Sequence, residues 1–290
     1  MEYTFGDVRS FVIVQSSPDE LKEMLSRYSG CFVHVCLPGG NMGDQLIYVG
    51  LRELLSEYDI KFNEFLRGQE ISGDTLFFAG CGGYCRFWHD GIPGVQMYLG
   101  AFNRIFILPS TFDKDYKPTR DFLRKLPEDC EVYCRERTSY EFAADILGDR
   151  AHLSKDTAFY IRWENFIRQG HGVLHAFRDD KESARRVNIP KDNIDISVEV
   201  KDCDDMLRKI SLYNEVHTDR AHVAISASML QKKTVVYDCG YSKLKAIYDY
   251  SLAGLPNTRF NNNLPRNLYW LKWHLRKLKN NIIHQKKRKK

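Results

Sequence analysis

The chain has 290 residues, 43% of them apolar, enough to bury one large core or two modest ones. No apolar run reaches the roughly 18 residues of a membrane-spanning helix, and the N-terminus lacks the basic-then-apolar pattern of a cleaved signal segment, so a cytoplasmic protein is expected. The net charge of +5 averages two unlike regions: residues 266–290 carry ten Lys and Arg and no acid, and setting those ten aside leaves 33 bases against 38 acids, which argues against a surface-wide affinity for nucleic acid.

In chain order, residues 31–37 read as a buried strand and 44–58 as the helix after it, with Leu46, Ile47, Leu51, Leu54 and Leu55 on one helical face. Strands are expected over 75–79, over 104–108 (ended by Pro109) and over 131–134. A helix over 138–147 opens with Thr138 and has Glu141 three positions on, the pattern of a capping box. Residues 162–172 are weakly periodic and suit a crossover. The alternation then resumes, with strands over 173–177, 194–200, 212–216 and 234–238 and helices over 202–210, 220–229 and 242–252. The charged stretch 180–192 reads as a loop. Alternating strand and helix predicts mostly parallel sheets covered on both faces. The expected division is an N-terminal α/β domain over 1–168, a second over 169–265, and a basic C-terminal segment over 266–290.

Eight cysteines, most of them single and beside apolar runs, suit reduced thiols better than a disulfide framework. Cys81-x3-Cys85 and Cys130-x3-Cys134 depart from the two-residue knuckle of structural zinc sites, so no metal is expected. In the C-terminal segment, Leu268, Leu271, Leu275, Leu278 and Ile282 form an apolar stripe on a basic helix. Such a helix either rests on an anionic membrane surface or packs its stripe on the protein.

Four corners carry the chemistry. Gly39-Gly40-Asn41-Met42-Gly43-Asp44 lies between a strand and a helix. Its glycines permit close ligand approach, while Asn41 or Asp44 can cap the helix. The spacing matches neither the dinucleotide fingerprint nor the nucleotide P-loop. Gly80-Cys-Gly-Gly83, with Gly82 and Gly83 as binding candidates, precedes Tyr84, Arg86, Trp88, His89 and Asp90, an interleaving of rings and polar groups suited to a sugar ring and its hydroxyls. Arg135 comes directly off a strand, where a guanidinium can meet a carboxylate or phosphate through paired hydrogen bonds.

The densest corner is Val216-His-Thr-Asp-Arg-Ala-His222, followed by a small-residue helix. A helix start of this kind offers free N–H groups and a positive dipole end to an anion. Arg220 supplies a fixed positive fork, and His222 can donate a hydrogen bond or a proton near neutral pH. Asp219 serves as a helix cap or orients Arg220, and His217 can pair with it structurally.

Taken in order, Asn41-Met-Gly-Asp44, the glycine corner at 80–83, Arg135-Glu-Arg-Thr-Ser139, Thr218-Asp-Arg-Ala-His222 and the strand and turn over 235–242 resemble the polysaccharide pyruvyl transferase family. The resemblance implies a GT-B-like fold, with two Rossmann-like domains of mostly parallel sheets facing a central cleft. It implies transfer of pyruvate from phosphoenolpyruvate to saccharide hydroxyls, forming a cyclic ketal in surface-polysaccharide biosynthesis, with no cofactor. By the same resemblance Arg135, Arg220, Ala221 and His222 bind phosphoenolpyruvate, and Asn41, Gly82 and Gly83 also line the substrate site. Asp44 is then the first candidate base, His89 the second, and His222 a candidate acid. This chain has Ala221 where relatives often carry Leu.

The partners to expect are phosphoenolpyruvate, a free or lipid-linked saccharide acceptor, an anionic membrane surface on the inner face through residues 266–290, and a second copy of the chain in a homo-oligomer, with no nucleic acid. Two other functions fit the same corners: a glycosyltransferase using a nucleotide-sugar, and a non-enzymatic saccharide-binding assembly protein.

Overall fold

The computed structural model describes residues 19–183 and 189–261, so the amphipathic pattern expected over 266–290 lies outside the described residues. Six strands form the first sheet: β1 (Phe32–Leu37), β2 (Lys61–Leu66), β3 (Gly73–Phe78), β4 (Phe102–Ser110), β5 (Cys130–Cys134) and β6 (Ala151–Leu153). Their order is β2-β1-β3-β4-β5-β6, parallel throughout. Four more form a second parallel sheet in sequence order: β7 (Val173–Ala176), β8 (Glu215–Thr218), β9 (Lys233–Val236) and β10 (Thr258–Phe260). The fold is thus a pair of Rossmann-like α/β units. In the first, the chain turns one way from β1 to β2 and crosses back to β3, which puts a topological switch point between β1 and β3.

Helices α1 (Glu20–Arg27), α2 (Met42–Glu57), α3 (Gly91–Gln96), α4 (Lys117–Arg124) and α5 (Arg137–Leu147) accompany the first sheet. Helices α6 (Cys203–Ser211), α7 (Ala221–Met229) and α8 (Lys243–Ile247) accompany the second, and α8 runs on into a π-helical turn over Tyr248–Leu252. Strand alternation divides the first core. Cys36, Leu76, Phe78, Ile105, Ile107 and Val132 meet Phe142 and Leu147 of α5 on one face. Val33, Val35, Phe77, Phe106 and Leu108 meet Leu25 of α1 and Ile47, Leu51 and Leu54 of α2 on the other.

Helix α2 also joins the two units, because its Leu46 belongs to the core of the second, with Trp163, Leu174, Val216 and Ile225. A Cβ at Gly50 would stand 1.9 Å from the carbonyl oxygen of Thr157. Only a hydrogen fits there, and the Thr157 hydroxyl donates to the carbonyl of Ile47 at 2.8 Å. The turn after β6 is therefore bolted to α2. Helix α7 is buried on nearly every side, as its run of small and apolar residues requires.

Several expectations need correction. The helix expected from Thr138 starts at Arg137, and its cap is Glu136, whose carboxylate accepts the Ser139 N–H at 3.0 Å. Residues 194–200 form turns rather than a strand, pinned by the Ile194 N–H to the His175 carbonyl at 2.9 Å. The strand expected over 212–216 lies at Glu215–Thr218, because Leu212 and Tyr213 still close the end of α6. The edge strands β2, β6 and β10 gave no apolar run: β2 alternates Lys61, Asn63 and Glu64 with Phe62 and Phe65, and the other two have three residues each. All eight cysteines are unpaired. Among the described residues no His, Cys, Asp and Glu cluster is arranged to hold a metal ion, and no helix is long and apolar enough to cross a membrane.

Candidate functional site

Parallel strands deliver their carboxyl ends to one edge of a sheet, and ligands of such sheets bind there at the switch point. A cleft of about 460 Å³ lies at that edge, and residues from both units line it. From β1 comes the turn Pro38–Asn41. Gly39 and Gly40 adopt φ of +91° and +121°, and a Cβ at Gly40 would meet Asp44 Oδ2 at 2.2 Å. Asn41 and Asp44 then cap α2 reciprocally: Asn41 Oδ1 accepts the Gly43 N–H at 2.8 Å, and Asp44 Oδ2 accepts the Asn41 N–H at 3.1 Å. Both cap the helix and both line the cleft. Burial raises the Asp44 carboxyl above its ordinary range, against the pull of the nearby His222, Arg135 and Lys243 charges. A carboxyl held at a higher pKa in a cleft is suited to proton transfer.

The end of β5 supplies Arg135, 1% exposed. Its Nε donates to Thr111 Oγ1 at 2.9 Å and one terminal nitrogen donates to Asp156 Oδ2 at 2.8 Å. Asp156, just past β6, shares that same oxygen with His222 Nε2 at 3.2 Å. Its other oxygen accepts the Ala158 N–H at 2.9 Å. Burial opposes the charge on Asp156, but His222 and Arg135 more than offset it and hold the carboxyl well below the usual range. One buried carboxylate thus ties an arginine of the first unit to a histidine of the second.

The second unit contributes three more cations. Arg178, just past β7, lies between Asp180, at 2.8 and 2.9 Å, and Glu182. Arg220, between β8 and α7, donates to Asp180 at 3.3 Å and to Asp195. Its Nε is buried without a hydrogen-bond partner among the described residues, an unused donor in a cleft-lining side chain. Lys243, at the start of α8, reaches Glu182 at 2.8 and 3.0 Å. Its Nζ would be 4.0 Å from a Cβ at Gly82, so it faces the glycine corner of the first unit. That corner also presents Cys81, whose thiol burial pushes up to about 12, too high to furnish a thiolate nucleophile near neutral pH.

The structure therefore brings Asn41, Asp44, Gly82, Gly83, Arg135, Arg220, Ala221 and His222 to one cleft. It does not bring His89, an exposed residue outside the lining whose ring lies 6.2 Å from that of Tyr116. His217 is also elsewhere, on β8 between Glu215 at 2.8 Å and the Tyr237 hydroxyl at 3.0 Å. Asp219 neither caps α7 nor orients Arg220: its Oδ1 accepts the Arg178 N–H at 2.8 Å, and Arg220 occupies the cap position. Sequence reasoning missed Asp156, Arg178, Glu182 and Lys243. Arg178 follows a strand that was foreseen, so the strand-end logic that found Arg135 would have found it, whereas Lys243 opens a helix beyond the turn after β9.

The fold and the cleft define a two-unit α/β protein with a cation-rich cleft between parallel sheets. Residues 41–241 match the family model for polysaccharide pyruvyl transferase, and the chain belongs to that family, a family of transferases acting in polysaccharide pyruvylation. No curated protein matches. Among solved structures, the chain is similar to a functionally uncharacterized protein from Klebsiella pneumoniae, with 24% identity, a TM-score of 0.70, and coverage of 84% of this chain and 97% of that one. That likeness bears on the fold alone.

Proposed function

We propose that the protein transfers the pyruvyl group of phosphoenolpyruvate to two hydroxyls of a saccharide, forming a cyclic ketal and releasing phosphate. The observation that carries this reading is the gathering of Arg135, Arg220 and His222 on one cleft, with the Arg220 Nε donor unused. Phosphoenolpyruvate bears a carboxylate and a phosphate, and fixed cations in a partly desolvated cleft suit both. Asp156 holds Arg135 and His222 in place, so they need no reorganisation as charge moves onto the leaving phosphate.

The chemistry balances without a metal or cofactor. A proton adds to the methylene carbon, and C2 gains oxocarbenium character. One saccharide hydroxyl attacks C2 and loses its proton. The C2–O bond to phosphate then breaks, and the second hydroxyl closes the ring and loses its proton. Two protons leave the hydroxyls; one replaces that used at the methylene and one ends on phosphate. His222 and Asp44 are assigned to these transfers, Asp44 because its raised carboxyl can both hold and release a proton. His89, outside the cleft lining, has no role in this scheme.

The test is ligand protection followed by turnover. Phosphoenolpyruvate should raise the melting temperature where nucleoside diphosphates do not, and Arg220→Ala should lose both the protection and phosphate release while keeping the fold. Protection by nucleoside diphosphates alone would favour a nucleotide-sugar enzyme and sink the proposal.

A further inference from the structure

The donor chemistry leaves unused the loop from Gly83 to Gly91, whose Gly83, Trp88 and Asp90 line the cleft. It is tightly built. A Cβ at Gly83 would stand 2.6 Å from the Gly91 nitrogen, and the Gly91 N–H donates to the Gly83 carbonyl at 3.0 Å. Within it the Cys85 N–H donates to the Trp88 carbonyl at 2.8 Å, and the Trp88 N–H reaches Cys85 Sγ at 3.4 Å. This turn holds the indole of Trp88 outward, 40% exposed, on the lining of the cleft. A large ring left exposed on a rigid turn in a cleft lining costs hydration free energy and adds nothing to the core.

Two neighbours say what the ring is suited to. The Lys181 ammonium, from the second unit, sits 3.7 Å from the ring centroid. That contact marks an indole face with its negative π-cloud available to positive polarisation. The C–H face of a pyranose presents the same polarity and adds flat apolar area. Beside the ring, Asp90 also lines the cleft. One of its oxygens is fixed by Arg67 at 2.7 Å, which leaves the other to accept a sugar hydroxyl.

We propose that Trp88 and Asp90 form the acceptor subsite: an uncharged pyranose stacks on the indole in place of Lys181, and Asp90 accepts one of its hydroxyls. This rests on the pyruvyl-transfer reading and assigns its acceptor class. Trp88 and Asp90 are positioning residues that set the ring in front of the donor, and Lys181 is a competitor that covers the indole when no sugar is bound.

The test uses the full chain with lactose, cellobiose and maltose as probes, in the presence of phosphoenolpyruvate, read by calorimetry and by tryptophan emission. At least one disaccharide should bind. Trp88→Ala should weaken it about tenfold and Trp88→Phe much less, as stacking on a ring requires. Asp90→Asn should also weaken it. Lys181→Met, which removes the competitor, should strengthen it by about two- to fivefold. Melting protection by phosphoenolpyruvate should be unchanged in all four variants. Disaccharide affinity that ignores both Trp88→Ala and Lys181→Met, or the absence of binding by all three probes, overturns the subsite. Loss of phosphoenolpyruvate protection in the unmodified protein counts instead against the donor reading, so the two failures are separable.

Discussion

Asp156→Asn tests the central electrostatic claim. The carboxylate and Arg135 are each 1% exposed and 2.8 Å apart, and the same oxygen reaches His222 at 3.2 Å. The replacement is nearly isosteric, and its carbonyl can still accept the Ala158 N–H now held at 2.9 Å. What disappears is the negative charge beside a guanidinium that has no access to water. Removing one partner of such a buried pair costs about 3–5 kcal/mol, because the other charge stays behind uncompensated. Against a usual stability of about 5–15 kcal/mol, that is a large fraction. Urea unfolding at pH 7 would measure it. Removing the stranded charge as well, in Arg135→Met with Asp156→Asn, should recover about 1–3 kcal/mol relative to Asp156→Asn alone. A single variant within about 1 kcal/mol of the parent, or a double variant whose losses simply add, would refute the pairing as the organiser of this cleft.

Two further predictions follow from the same geometry. A Cβ at Gly43 would stand 2.8 Å from His222 Nδ1 and 3.0 Å from Asn41 Oδ1, so Gly43→Ala should displace the imidazole. Turnover should fall by about tenfold or more with little change in melting temperature, since misplacing a catalytic group by a fraction of an ångström is costly; an unchanged kcat would dissociate His222 from the chemistry. Burial pushes the Asp219 carboxyl from its model-peptide value of 3.8 up to about 7, against the Arg178 N–H and the charges of Arg178 and Arg220. Between pH 4 and 7 the unfolded chain has released this proton and the folded one keeps it, so this group lowers stability as pH rises, and its effect levels off above about 7. Asp219→Asn, whose carbonyl can keep the Arg178 N–H, should remove that fall, worth on the order of a few kcal/mol. Parallel stability–pH curves for parent and variant would show the premise to be wrong.

The corners were legible where local sequence carries local physics. Asn41 and Asp44 were recognisable as cap residues because a cap depends on four neighbouring positions, and both make the expected bonds. Arg135 was recognisable because it follows a short strand directly, and Arg220 and His222 because a cluster of charged groups stands where a small-residue helix begins. Asp156 was invisible: it follows a strand of three residues, too short to show a period. His89 misled because rings and polar groups around a glycine corner look alike whether they line a cleft or not, and only the turn of the loop put the exposed Trp88 on the cleft lining and left the exposed His89 off it.

By itself the sequence determined the parallel α/β alternation, the glycine corner before α2 and the cationic groups at strand ends, because periodicity, φ preference and capping act over a few residues. Only the tertiary structure decided that Asp156 joins Arg135 to His222, that Arg178, Glu182 and Lys243 share their cleft, and that Lys181 lies over Trp88. The links from Asp156 to Arg135 and His222, from Lys243 to Glu182 and from Lys181 to Trp88 span 21 to 93 positions, and partners at such separations are set by how two sheets pack around α2, a collective outcome of burying both cores that no short window of sequence encodes.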